Sequence, residues 1–99
     1  MAERRHYEVM LIVDPRLEDT AIQQATEKFF NVVSERDGEV KKVDNWGRRK
    51  LAYEIKHLTE GYYVVADIDG TPEGMTELDR VLGLADELLR HKIVRPGKD

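Results

Sequence analysis

The chain has no cysteine, only three prolines and one tryptophan, and no long apolar run. Each scarcity closes off a class of protein. Without cysteine there is no disulfide scaffold, no thiolate metal site and no cysteine nucleophile, the usual state of an intracellular chain. No stretch is long and apolar enough to span a bilayer as a helix. Met1-Ala2-Glu3-Arg4-Arg5-His6 leads into a strand pattern rather than a signal-peptide hydrophobic region, so a cytoplasmic protein is expected. Catalytic signatures are equally scarce, with no phosphate loop, dinucleotide fingerprint or nucleophile elbow. His6, His57 and His91 are scattered without an i, i+4 pair, so neither a metal nor a cofactor is expected. Asp67 and Asp69 alternate onto one face, and are read as a solvent-facing strand residue and part of the following turn rather than as an ion site.

At 99 residues the chain fits one domain, 1–99, with an ordered core over about 5–95 and a short C-terminal tail. The net charge of −4 argues against nucleic acid only until its distribution is considered. From Asp14 to Glu39 seven acids face three bases, and from Asp67 to Glu87 seven acids face Arg80 alone. From Lys41 to Lys50 five bases face Asp44, and from Arg90 to Lys98 four bases and His91 face no acid. With acidic helices and basic strands, the molecule has an acidic side and a basic side, and the local field governs binding.

The apolar periodicity sets the order of elements. His6 to Val13 reads as a central strand, apolar on both faces for most of its length, ended by Asp14-Pro15. From about Glu18, Ile22, Ala25, Phe29, Val32 and Val33 form a helical stripe, with Thr20 and Gln23 as a capping box and Gly38 as a left-handed stop. Glu39 to Ile55 reads as one long edge strand broken by a bulge near Gly47. His57 to Gly61 is expected to turn the chain into the strand Tyr62–Ile68. Thr71 caps a second helix that has Pro72 in its first turn and Gly83 at its end, and Leu88 to Arg95 is the last strand. The order βαββαβ implies a ferredoxin-like α+β fold: a four-stranded antiparallel sheet, two helices on one face, and the first and third strands central.

Within the long strand, Val43-Asp44-Asn45-Trp46-Gly47-Arg48-Arg49-Lys50-Leu51-Ala52-Tyr53-Glu54-Ile55 combines the lone tryptophan, three consecutive cations and an alternating apolar run. Leu51, Tyr53 and Ile55 read as a half-buried anchor, and Trp46 to Lys50 as a projecting head held out for recognition. Three basic clusters are placed to neutralise phosphates of a folded RNA: Arg4 and Arg5; Arg48, Arg49 and Lys50; Arg90, Lys92 and Arg95. Charged edge strands also serve simply to discourage aggregation. Glu60-Gly61-Tyr62-Tyr63-Val64 only faintly echoes the base-stacking motif of RNA-recognition sheets, since a leading base and a second aromatic are missing. The alternative on this fold is a small-ligand regulatory or acylphosphatase-like domain. An acylphosphatase-like site would need a glycine-rich anion loop after the first strand, where this chain has Asp14-Pro15-Arg16-Leu17.

Tyr7-Glu8-Val9-Met10, then Asp14-Pro15-Arg16-Leu17, the Val43 to Ile55 stretch and Glu60-Gly61-Tyr62-Tyr63 follow one another in an order that resembles the bacterial small-ribosomal-subunit protein six family. The most specific part is Gly47, the bases after it, Leu51-Ala52-Tyr53 and Ile55. The resemblance spans Tyr7 to Arg95. It implies a ferredoxin-like fold, no catalysis, and a structural role on the central domain of the small-subunit rRNA, in a heterodimer with small-subunit protein eighteen. It further implies that Arg4, Arg5, Arg90, Lys92 and Arg95 approach RNA. Trp46 to Tyr53 would serve both surfaces, with Arg48, Arg49 and Lys50 toward RNA and Trp46, Arg48 and Tyr53 toward the protein partner.

Overall fold

A computed structural model describes residues 3–96; the tail expected beyond Pro96 lies outside the described residues. The elements are β1 (Arg5–Val13), α1 (Asp19–Glu35), β2 (Glu39–Ile55), β3 (Leu58–Gly70), α2 (Pro72–Leu84) and β4 (Leu88–Val94). The strands form one antiparallel sheet in the order β2-β3-β1-β4. The central pair is β1 and β3, as the apolar patterns require, and the two basic strands are the edges.

Both helices press their apolar stripes onto one face of the sheet. Ile22, Ala25, Phe29, Phe30 and Val33 of α1 and Met75, Leu78 and Leu82 of α2 share a core with Tyr7, Val9, Leu11, Val13, Val64, Ala66, Ile68 and Leu88. Strand β1 corrects the expectation of two apolar faces. Tyr7, Val9, Leu11 and Val13 are buried under the helices, whereas His6 and Glu8 are exposed and Met10 and Ile12 half-buried. Among the described residues only one face has a layer over it, so Met10 and Ile12 are left as part of a surface.

Several chain reversals differ from expectation, each for a local reason. Helix α1 starts at Asp19 after Glu18, and no side chain caps it. Thr20 already lies inside the first turn, so the expected capping box with Gln23 does not form. At the other end, Asp37 rather than Gly38 takes the left-handed conformation, with φ 68°. Gly38 is needed for close approach instead, because a Cβ there would lie 2.6 Å from Val33 Cγ1 and 3.0 Å from the Asp69 carbonyl oxygen. Helix α2 begins as expected: the Thr71 hydroxyl accepts from the Gly74 N–H at 3.0 Å, with Pro72 in the first turn. It continues through Gly83 to Leu84 rather than ending at the glycine.

The β2–β3 connection is also shorter than expected. Leu58 to Gly61 belong to β3, and the turn is Lys56 and His57 alone, at φ 51° and 65°. Positive φ at both central residues is the geometry of a type I′ hairpin turn, which asparagine and glycine adopt with less strain than other residues. Replacing His57→Gly should therefore raise stability by about 0.5–1 kcal/mol, read from the urea midpoint. In the same assay Phe29→Ala, which empties the largest fully buried side-chain site, should cost about 3–5 kcal/mol.

Candidate nucleic-acid and partner interface

Among the described residues strand β2 pairs only with β3, and its register slips at Val40/Lys42, Asn45/Gly47 and Lys50/Ile55. At the middle slip Gly47 adopts φ +81°, with nothing within 4 Å of where a Cβ would sit. The extra residue turns Trp46 onto the helix-free face, where its ring stacks on Tyr63 at 6.2 Å and an interplanar angle of 14°. The Arg49 guanidinium lies 5.0 Å from the Trp46 ring. The expected projecting head is thus an ordered assembly of one indole, one phenol and one cation. Trp46 remains 44% exposed.

Beyond Lys50 the hairpin runs past the body of the sheet. Leu51 is buried over Gly61, where an added Cβ would collide with Ile12 and crowd Leu51. Tyr53 departs from the expected anchor and is 60% exposed. The last register slip, between Lys50 and Ile55, carries it out of the paired region. Its ring instead lies beneath the Arg90 guanidinium of β4, at 5.3 Å. Tyr53, Met10, Ile12, Arg90, His91 and Lys92 line a shallow cavity of about 360 Å³ with an apolar floor and a cationic rim.

The three basic clusters of the sequence are redistributed by the fold. Arg4 and Arg5 stand at the other end of the sheet; Arg4 donates to the Asp37 carbonyl oxygen at 2.8 Å and approaches Glu39 at 3.7 Å, and Arg5 approaches Glu3 at 3.7 Å. Arg95, just beyond β4, lies 5.9 Å from the Tyr7 ring. Arg90 is opposite Ile12 and Lys92 opposite Met10, facing the helix-free side with Arg49. Lys50 is exposed at the edge. Arg48 points to the helix side: it is paired with Tyr62, and its guanidinium lies 5.5 Å from that ring. Its donors reach the carbonyl oxygens of Pro15 and Leu17, each at 3.2 Å, and the Asp19 carboxylate at 3.1 Å.

Strand register reveals contacts that spacing in the chain conceals. Tyr63, which has no second motif aromatic on its own strand, gains an aromatic partner from the Trp46 bulge on β2. His6 sits with its ring nitrogens 3.3 Å from Asp69 and 3.8 Å from Asp67. Both aspartates belong to β3, which extends to Gly70, so neither is in a turn. The helix-free face is therefore acidic at the His6 end and cationic and aromatic at the Trp46 end.

The loop between β1 and α1 is braced by charge. The Arg16 guanidinium donates to both Asp14 carboxylate oxygens, at 3.0 and 2.7 Å, and holds that carboxyl below its ordinary range. Glu87 is likewise lowered, first by its own backbone N–H and then by Lys28 at 3.1 Å.

A profile of the ribosomal protein S6 family matches residues 6–95. The chain belongs to the ribosomal protein S6 family. It is accordingly a structural protein of the bacterial small ribosomal subunit, in the cytoplasm, and not an enzyme. Small ribosomal subunit protein bS6 of Streptomyces griseus is 53% identical over 92 residues, which cover 93% of this chain and 96% of that one. The Rhodococcus opacus bS6 is 48% identical over 94 residues, covering 95% and 99%. The crystal structure of 30S ribosomal protein S6 from Thermotoga maritima superposes with a TM-score of 0.88 at 31% identity, covering 94% of this chain and 88% of that chain. That likeness places the ferredoxin-like fold of this S6 family member beyond argument from pattern alone.

The lowered Asp14 pKa makes a directional prediction about acid stability. A depressed carboxylate contributes stability that is complete above its unfolded pKa and lost as pH falls through the folded one. Asp14→Ala should cost about 1 kcal/mol at pH 7. The gap from the parent should close as pH drops below about 3.9, followed by urea denaturation at stepped pH.

Proposed function

We propose that the chain binds the central domain of small-subunit rRNA as one half of a heterodimer with small-subunit protein eighteen. The observation that carries this is the pairing of exposed aromatics with guanidinium groups on the helix-free face, Trp46 with Arg49 and Tyr53 with Arg90. The aromatic and apolar centre, comprising Trp46, Tyr63, Tyr53, Met10 and Ile12, suits burial beneath a protein partner. The cations around that centre suit phosphates. Arg49, Lys50, Arg90 and Lys92 flank it, and Arg4, Arg5 and Arg95 add further cations toward the other end of the sheet, Arg4 beside Glu39 and Arg5 beside Glu3. Two proteins then present one composite surface to folded RNA, each arginine acting through phosphate neutralisation and counterion release. The acidic helices face away and leave one orientation favourable in the RNA field.

Tagged protein purified at native abundance should emerge on small ribosomal subunits together with a small basic protein. In reconstituted binding with that partner, Arg49→Ala and Arg90→Ala should each flatten the dependence of log affinity on log salt by about 0.7–0.9. Free recovery from the cell, or both salt slopes unchanged, would count decisively against the reading.

A further inference from the structure

Arg48 stands between the bulge and two other cations, yet its contacts differ in kind from theirs. Three of its N–H groups are engaged by acceptors in the β1–α1 loop and the first turn of α1: Pro15 and Leu17 at 3.2 Å and Asp19 at 3.1 Å. Its flat face rests over Tyr62 at 5.5 Å. An arginine held by three acceptors and an aromatic ring is fixed in direction, as a lysine would not be.

The segment that Arg48 holds has little else on that side. Among the described residues strand β2 pairs with β3 alone, and its register is interrupted on both sides of residues 47–50. Val43 is 40% exposed beside a groove lined by Ile22, Gln23 and Tyr62, so α1 does not close over the strand. The loop that receives Arg48 is tied again from the opposite edge, where the Asp14 N–H donates to the Glu87 carbonyl oxygen at 2.8 Å, one residue before β4 begins. One short loop is thereby gripped from both edges of the sheet. Those edges carry the Trp46–Arg49 and Tyr53–Arg90 pairs.

We propose that Arg48 is a positioning residue rather than an RNA contact. It fixes the pose of the Trp46–Arg49 bulge and, through the β1–α1 loop, the separation of that bulge from the cations of β4. The consequence for binding rests on the RNA reading above; the consequence for the bulge does not. Loss of Arg48 leaves Trp46 and Arg49 in place in the sequence but no longer prearranged, and affinity falls through the cost of ordering them.

The experiment compares Arg48→Ala, Arg48→Lys and Asp19→Ala with Arg49→Ala in the full chain. Trp46 is the only tryptophan, so acrylamide quenching of its fluorescence reports the bulge in the free protein. Arg48→Ala should raise the quenching constant by roughly two-fold and, with the partner protein present, weaken RNA binding by about ten-fold, with the salt slope unchanged. Arg48→Lys should restore only part of each effect, because one ammonium cannot reach all three acceptors. Arg49→Ala should instead lower the salt slope by about 0.7–0.9. Should Arg48→Ala fail to fold, Asp19→Ala removes one of the three bonds and should shift the quenching in the same direction by less. Unchanged quenching in the folded variants overturns the proposal, and so does a salt slope for Arg48→Ala that falls as far as for Arg49→Ala. If the parent itself binds no RNA with its partner, the RNA reading fails, while the Trp46 quenching still decides what Arg48 does.

Discussion

Packing of Phe29, Leu78 and Leu82 against Val9, Leu11, Val64 and Ile68 holds both helices on the same side of the sheet. Each helix has one apolar stripe and neither can be satisfied by water, so the two must share a single core over the central strands. The other face of the sheet receives no layer from the described residues. Met10, Ile12, Val65 and Tyr63 are consequently left half-buried, and a patch that would be core in a three-layer protein becomes surface. The bulge of β2 and the hairpin end then add Trp46 and Tyr53 to it. The exposed aromatic and apolar face of this member of the ribosomal protein S6 family is thus a by-product of how its core is closed.

Charge follows the same division. The helices carry their acids outward, away from the core, and the edge strands carry the bases because edges are where charge is tolerated and aggregation must be discouraged. A net charge of −4 leaves room for a cationic patch because most of the acid sits on the outward faces of the helices and at one end of the sheet. The helix-free face is itself graded, with Glu8, Asp67 and Asp69 around His6 at one end and Arg49 and Arg90 at the other. Such a gradient distinguishes two orientations of any charged object laid across the sheet.

Much of this was legible in the residues alone. The alternation of Val9, Leu11 and Val13, the stripes of the two helices and the Thr71-Pro72 start specify the element order, and the order specifies the sheet. The long broken strand around Gly47 was legible as well, because a glycine amid charges has few other uses. What stayed hidden depends on strand register and on distances between residues far apart in sequence. Nothing near Tyr53 names Arg90 as its partner, and nothing near Arg48 names Pro15 and Leu17. Three consecutive cations look equivalent in sequence, yet the alternation of a strand turns Arg48 and Arg49 to opposite faces. Helix ends failed for a narrower reason: a glycine at position 38 signals either a left-handed turn or a close approach, and only the position of Val33 decides between them.

The pairing order of the strands bears on how the protein is made. Strand β1 is the first to leave the ribosome during synthesis, yet both its neighbours, Leu58–Gly70 and Leu88–Val94, come later in the chain. The β2–β3 hairpin, closed by a two-residue turn, is the one strand pairing that can form locally. Until residues 88–94 emerge, the nascent sheet therefore has one edge of its most apolar strand open, and completion of the sheet waits on β4. The sheet thus grows outward from a hairpin in the middle of the fold, and β1 gains its second neighbour only when β4 arrives.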